Sequence, residues 1–187
     1  MSLLDIHVLG SPILRQVTQP VEAVTDEHRQ LIDDMVETMY AAKGIGLAAP
    51  QVGRSERIAV IDVDDGKGPF AIINPEILLS EGRQKNEEGC LSIPDVYADV
   101  ERAWTVTVRA LDRDGNPFEI TGEDLLSRCL LHEIDHLHGK LFLDHLSLLK
   151  RRSAMSKWAK VKEQFPDLVR KLSPGEVATH HHRDEEL

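Results

Sequence analysis

Aromatic residues are scarce in this sequence, at 4% of 187 positions, so leucine, isoleucine, valine and alanine must supply most of the core. Only two cysteines occur, Cys90 and Cys129, which is too few for a disulfide framework. No apolar stretch approaches the ~20 residues that span a bilayer, and the initial MSLLDIHVLGSPILRQ lacks the pattern of a secretory leader. A formal net charge of -10 argues against a general nucleic-acid binder. These absences predict a soluble protein of a reducing compartment that binds neither DNA nor membranes.

Hydrophobic periodicity predicts an α+β fold. Helices are predicted at residues 26–43, 123–138 and 147–165, and strands at residues 57–63, 69–78 and 105–111. The turn DRDGNP and the FEITG that follows predict a hairpin with the last of these strands. We therefore expect small antiparallel sheets packed around a central helix that carries the sequence HEIDH, with an N-terminal helix and a C-terminal helix beside them.

The most informative stretch is CLLHEIDHLHG, in the second predicted helix. Residues four apart lie ~40° apart around a helix and ~6 Å apart along it, so His132 and His136 can converge on one ion. Glu133 is rotated ~100° from His132, and it can reach a water on that ion without ligating the ion. Two imidazoles with one carboxylate base suit a metal-dependent hydrolase. The alternative is that these are ordinary charged residues of a helix.

Two histidines do not complete the coordination of a metal, and several residues are candidates for the third ligand. His138 lies ~200° around the helix from His136 and faces away. The long zinc-peptidase consensus needs a histidine where this chain has Phe142, which cannot ligate. Cys129 lies ~10 Å along the axis from His136, so core packing is its predicted role. Cys90 would leave one tetrahedral position open, as in catalytic sites, although taken alone it could be a buried apolar cysteine.

Three short motifs occur in the order GIGLAAPQ (residues 44–51), EGCLS (88–92) and HEIDH (132–136). Their order and spacing resemble those of peptide deformylases over about residues 5–160. The resemblance implies a hydrolase that removes the formyl group from N-formylmethionine of nascent polypeptides in a bacterial cytoplasm. It implies that Cys90, His132 and His136 bind Fe²⁺, which Zn²⁺ or Ni²⁺ could replace. Residues 1–166 would form one catalytic domain, and residues 167–187 a polar, mobile tail.

The resemblance also implies roles for residues around the ligands. Glu133 would take a proton from water and deliver it to the departing amine, while the Gln51 amide and the Leu91 backbone N–H would stabilise the oxyanion. Four residues would contact substrate: Ile45, Gly46, Gly89 and Arg102. The alternatives are plain loop polarity for Gln51, a tight turn for the glycines and a surface strand position for Arg102.

Three positions depart from the pattern of the family. Leu131 stands where most relatives have glutamine. Asn86 and Arg128 stand where the pocket for the methionine side chain has apolar residues, so they would shrink or hydrate that pocket. We expect these substitutions to affect substrate preference and efficiency more than the type of reaction.

The last predicted helix, at residues 148–165, is basic although the protein is acidic. A basic helix suits docking to ribosomal RNA near the nascent chain, as the resemblance suggests, and a solvated cap on the core is the alternative. Two other functions remain open for the whole chain. One is a peptidase that uses the same histidines, and the other is a catalytically weak relative that binds formylated peptides.

Overall fold

The computed structural model describes residues 2–173. Residues 174–187, with the histidines of the predicted tail, lie outside the described residues. The helices are α1 (Asp26–Ala41), α2 (Asp124–Leu137) and α3 (Leu148–Val161). The strands are β1 (Ile6–His7), β2 (Gly46–Ala48), β3 (Ile58–Ile61), β4 (Phe70–Glu81), β5 (Gln84–Glu88), β6 (Ala98–Arg102), β7 (Thr105–Leu111), β8 (Pro117–Glu123) and β9 (Val169–Arg170).

The named strands pair in an antiparallel manner and form three small sheets. The largest has the strand order β2-β3-β4-β7-β8, so β2 and β8 are its edges. The other two sheets are the pairs β5-β6 and β1-β9. The predicted α+β class is confirmed, and the predicted hairpin is β7-β8.

The largest sheet is packed between α1 and α2, because successive side chains of a strand point to opposite faces. One core cluster joins α1 to the first face and includes Met35, Met39, Val60 and Ile73. A second cluster joins α2 to the opposite face and includes Leu130, Ile134, Ile72 and Val108. The helix that carries HEIDH is therefore fixed from one side by the sheet.

A third core cluster fixes the loop that follows β5. It contains Cys90 and Ile93 of that loop together with Phe142, Ala154 and Trp158. The last two belong to α3, so this helix covers the loop that carries Cys90. Two segments distant in sequence thereby hold the thiol next to α2.

The observed elements differ from the predicted ones in several places. Beyond residue 166, the predicted end of the catalytic domain, Val169–Arg170 pairs with Ile6–His7. The last helix ends at Val161 and continues as a short 3₁₀ helix, Lys162–Gln164. Strands β5 and β6 were not predicted, since QKNEE has no apolar alternation. Within residues 2–173, no helix combines the length and apolar character needed to cross a membrane.

Candidate metal centre

Three potential metal ligands meet in a buried cluster. The Cys90 sulfur lies 3.4 Å from His136 Nε2, which lies 3.2 Å from His132 Nε2. All three ligand atoms lie within 4.8 Å of one another, and each residue is 1% exposed. One thiol and two imidazoles are donors that suit a divalent transition metal, so the residues present fit such an ion. Cys129, in contrast, packs in the core with α2 and the sheet.

The backbone before Cys90 requires glycine because of a close neighbour. A Cβ atom on Gly89 would lie 2.6 Å from Cε1 of Tyr97, a distance that side chains do not tolerate. Beyond Cys90 the chain turns, since the Ile93 N–H donates to the Cys90 carbonyl at 2.8 Å. Gly89 and this turn together direct the thiol toward α2.

Glu88 orients one of the histidines and was not predicted as a site residue. His132 Nδ1 lies 3.1 Å from Glu88 Oε2. An ionised carboxylate only accepts hydrogen bonds, so Nδ1 carries the proton and Nε2 keeps its lone pair for an ion. Burial by itself would raise the pKa of Glu88, but hydrogen bonds from His132 and Arg102 outweigh burial and hold this pKa far below its ordinary value.

Two arginines complete the surroundings of Glu88. Arg102 donates from Nε at 2.8 Å and from Nη2 at 3.0 Å, and Arg128 donates from Nη1 at 2.6 Å. Arg102 also reaches Asp135 at 2.6 Å, and Asp135 in turn lies 2.7 Å from His145. Arg102 is therefore buried in an ionic network, which the sequence did not indicate.

Glu133 lies in the same interior with a different environment. Both of its carboxylate oxygens are buried and have no hydrogen-bond partner among residues 2–173. Burial raises its pKa well above the ordinary value, and the negative charge of Glu88 adds to the effect. A Cβ atom on Gly46 would collide with Glu133 Oε1, so only glycine permits this approach of β2 to the carboxylate.

His136 has an environment that keeps its imidazole neutral. Burial lowers its pKa well below the ordinary value, and the neighbouring His132 lowers it further. Its Nδ1 atom is buried and has no hydrogen-bond partner among the described residues. Since only a neutral imidazole has a lone pair to give, this environment favours metal binding.

Gln51 reaches the cluster from the 3₁₀ helix that follows β2. Its Oε1 accepts a hydrogen bond from the Ala48 N–H at 2.8 Å, which fixes the orientation of the amide. Its Nε2 then donates to Ser92 Oγ at 3.1 Å and lies 3.7 Å from the Cys90 sulfur. Leu91 follows Cys90 directly, and a Cβ on Gly44 would lie 2.6 Å from its Cδ1. Ser92 is a further site residue that the sequence did not single out.

The remaining predicted residues lie around this centre in different environments. Ile45 is buried, and its carbonyl lies 3.5 Å from the Cys129 sulfur. Asn86 is exposed on β5 and donates to Gln84 Oε1 at 3.2 Å. Arg128, with its guanidinium buried, also reaches Gln84 Oε1, at 3.3 Å. Leu131 is half-buried against the core between α2 and the sheet.

Comparisons with known proteins agree on one family. The model of the polypeptide deformylase family matches residues 3–152. The chain belongs to this family. A peptide deformylase of Alkalilimnicola ehrlichii is 52% identical over 166 residues, which are 88% of this chain and 93% of the relative.

Solved peptide deformylases also share the structure. One from Legionella pneumophila matches with a TM-score of 0.83 and 52% identity, covering 87% of this chain and 97% of the other. One from Synechococcus elongatus, in complex with actinonin, matches with a TM-score of 0.79 and 45% identity, covering 83% and 86%. The predicted family and the predicted enzyme class, a metal-dependent peptide deformylase, are confirmed.

Proposed function

We propose that the cluster of Cys90, His132 and His136 hydrolyses the formyl amide of N-formylmethionine at the start of nascent polypeptides and releases formate. The observation that carries this proposal is the position of Glu133. Its carboxylate is buried beside the cluster and has no hydrogen-bond partner among residues 2–173. An uncompensated buried carboxylate is costly, so its presence is best explained by a role in proton transfer.

Cys90, His132 and His136 would hold one divalent ion. Such an ion lowers the pKa of water and polarises a carbonyl oxygen. We propose Fe²⁺ as the ion, and the same donors also accept Zn²⁺ or Ni²⁺. Glu88 Oε2 lies 3.1 Å from His132 Nδ1. Through this contact Glu88 would hold His132 in the tautomer that leaves Nε2 available for the ion.

Glu133 would act as the general base and then as the general acid. Burial raises its pKa well above the ordinary value, and a carboxyl group with a raised pKa is suited both to accept and to return a proton. It would take a proton from water as the formyl carbon is attacked, and would deliver it to the departing amine. Gly46 supports this role, since its lack of a side chain leaves room at Glu133 Oε1.

Gln51 and Leu91 would stabilise the negative charge that develops on the formyl oxygen. The Gln51 amide is held by Ala48, so its NH₂ group faces Cys90 and Ser92 without the need to reorganise. The backbone N–H of Leu91 is the natural second donor because Leu91 follows Cys90. Preorganised donors of this kind are typically worth ~3 kcal/mol each in the transition state.

The peptide would bind along the open edge of β2. This strand pairs with β3 on one side only, so its other side can accept a further strand. Ile45, Gly46 and Gly89 would offer backbone groups to the substrate there. The edge lies beside Glu133, which would place the first peptide unit next to the general base.

The pocket for the first side chain would be more polar than in relatives. Arg128 precedes His132 by one helical turn, and it shares Gln84 Oε1 as an acceptor with Asn86. Both side chains would therefore contribute to the same wall, and Arg102 would stabilise it through Glu88. We expect a preference for first residues that are smaller or more polar than methionine.

The basic helix α3 would dock to the ribosome. Ala154 and Trp158 bury one face of α3, Phe165 stacks on Trp158, and Met155 is exposed. The basic residues of the other face are exposed: Lys150, Arg151, Arg152, Lys157 and Lys160.

Ribosome docking is tested by pelleting with ribosomes at low salt. The double variant Lys157→Glu with Lys160→Glu should reduce pelleting, whereas Lys67→Glu should not. Negligible pelleting at every salt concentration would contradict docking.

Substitution of each of the two cysteines tests the proposed reaction. Protein purified without oxygen is assayed for bound metal and for formate release from formyl-Met peptides. Cys90→Ser should lose most of the metal and the activity, whereas Cys129→Ser should keep both. Cleavage of internal peptide bonds would instead support a peptidase, and bound metal with no formate release would support a catalytically weak relative. The same assay in extracts can test the proposed bacterial cytoplasmic location.

A further inference from the structure

A second concave site lies apart from the metal centre. It is a cavity of about 700 Å³ between α1, the start of β4 and the hairpin formed by the β7–β8 turn and the first part of β8. Cys90, His132, Glu133 and His136 are not among the described residues that line it. Its volume falls in the range of sites that bind small molecules.

The walls of this cavity are mainly apolar. They include side chains from all three elements: Ile32, Val36, Phe70, Ala71, Phe118 and Ile120. Two aromatic rings and several aliphatic groups are enough to enclose the body of an aromatic or branched ligand.

Most polar groups at the rim already have partners. Asp33 forms two contacts with Arg113, at 3.0 and 3.2 Å. Asp112 accepts the backbone N–H groups of Asp114 and Asn116, both at 2.9 Å. The Tyr40 hydroxyl donates to Asp62. The Asp33–Arg113 pair joins the turn to α1, and the bonds to Asp112 hold the turn itself, so the rim of the cavity is ordered before a ligand binds.

Glu37 is the exception. Its Oε2 is buried and has no hydrogen-bond partner among the described residues. The lining as a whole carries three carboxylates, of Asp33, Glu37 and Asp112, against the one guanidinium of Arg113. A ligand with a positive charge and N–H donors would match both the excess charge and the unpartnered oxygen.

We propose that this cavity binds a small organic cation, an amine or amidine attached to an aromatic or branched aliphatic body. The cationic group donates hydrogen bonds to Glu37, and the apolar body packs between Phe70 and Phe118. A site enclosed by three elements fits a compact molecule better than an extended peptide, whose backbone would need polar partners along the walls.

The test uses the full, metal-loaded protein and three probes of equal shape: 3-phenylpropylamine, 3-phenylpropanol and 3-phenylpropanoate. In ¹H–¹⁵N NMR titrations the amine should shift amide signals of residues 32–40 and 70–71, the alcohol should bind more weakly and the acid should not bind. Glu37→Gln should weaken binding of the amine about tenfold and leave the alcohol unchanged. Glu22→Gln, at an exposed position outside the cavity, is the matched control.

A second variant separates binding from folding effects. Val36→Trp fills the cavity from a half-buried helix position and should abolish binding of the amine and the alcohol. Formate release should be unchanged in both variants, because the cavity shares no lining residue with the metal cluster. Equal affinity for amine and alcohol, or no response of the wild type, would overturn the proposal.

Discussion

Glu88 and Glu133 are two glutamates of one interior, 1% and 0% exposed, and their surroundings are opposite. Glu88 accepts hydrogen bonds from Arg102, Arg128 and His132. Glu133 has no partner among the described residues. The pKa of the first is lowered and that of the second is raised, although burial acts on both in the same direction.

The difference separates a carboxylate that builds the site from one that can react in it. Glu88 stays ionised, compensates two buried guanidinium groups and fixes a tautomer, so its contribution is to structure. In the proposed reaction Glu133 would change its protonation state, since no donor among residues 2–173 stabilises its charge. Equal burial therefore does not imply an equal role, and partners decide which role a buried carboxylate has.

The largest effect is expected when Glu133 is replaced by glutamine. The change removes the proton acceptor and keeps the shape, so kcat/KM for formate release should fall by about 10³-fold or more. Stability should stay within ~1 kcal/mol of the wild type, because a neutral amide costs less to bury than an unpartnered carboxylate. Formate assays and urea unfolding of the metal-loaded protein measure the two quantities. The assigned role would be contradicted if the loss of unfolding free energy exceeded the loss of transition-state stabilisation that corresponds to the fall in kcat/KM.

For Glu88→Gln we expect a larger effect on stability than on activity. Arg128 would remain buried without its carboxylate partner and Arg102 would keep only Asp135, and breaking a buried ion pair in this way typically costs 3–5 kcal/mol of unfolding free energy. Adding Arg128→Ile to this variant should recover part of the loss, since one uncompensated charge is removed. Urea unfolding of the two single variants and the double variant measures this coupling. The exposed pair of Arg109 and Glu119 provides the control, and Glu119→Gln should change stability by less than ~0.5 kcal/mol.

Arg128→Ile alone should act on substrate preference. Glu88 keeps Arg102 and His132, so the metal cluster should persist while the pocket becomes apolar. The ratio of kcat/KM for formyl-Met over formyl-Ser peptides should rise about tenfold, the order of effect that a reshaped apolar pocket gives. Arg109→Gln should leave this ratio unchanged. An unchanged ratio in Arg128→Ile would remove Arg128 from the proposed pocket.

The sequence predicted the cluster better than its surroundings. The spacing of His132 and His136 on a helix requires only local geometry, and Cys90 followed from excluding other ligands and from the motif order. The ionic network could not be predicted, because Arg102 and Arg128 lie 14 and 40 residues from Glu88 and only the tertiary fold joins them. The polar strand β5 was missed for a related reason, since its pairing with β6 rather than its own pattern stabilises it.

Glu56 offers an intermediate case and the smallest expected effect. Arg54 hydrogen-bonds to it and lowers its pKa from the ordinary value of 4.5, while burial opposes this shift. A lowered folded-state pKa stabilises the protein above the unfolded value near 4.5, and this stabilisation is lost as the pH falls through the folded-state pKa. The side chains of Arg54 and Glu56 are 37% and 21% exposed, so screening by solvent limits the effect to about 0.5–1 kcal/mol. Urea midpoints should therefore separate Glu56→Gln from the wild type at pH 7 and converge at strongly acidic pH. A difference that persists in acid would show that packing, and not charge, stabilises this pair. The conclusion that partners decide the role of a buried carboxylate would then not extend to half-buried sites.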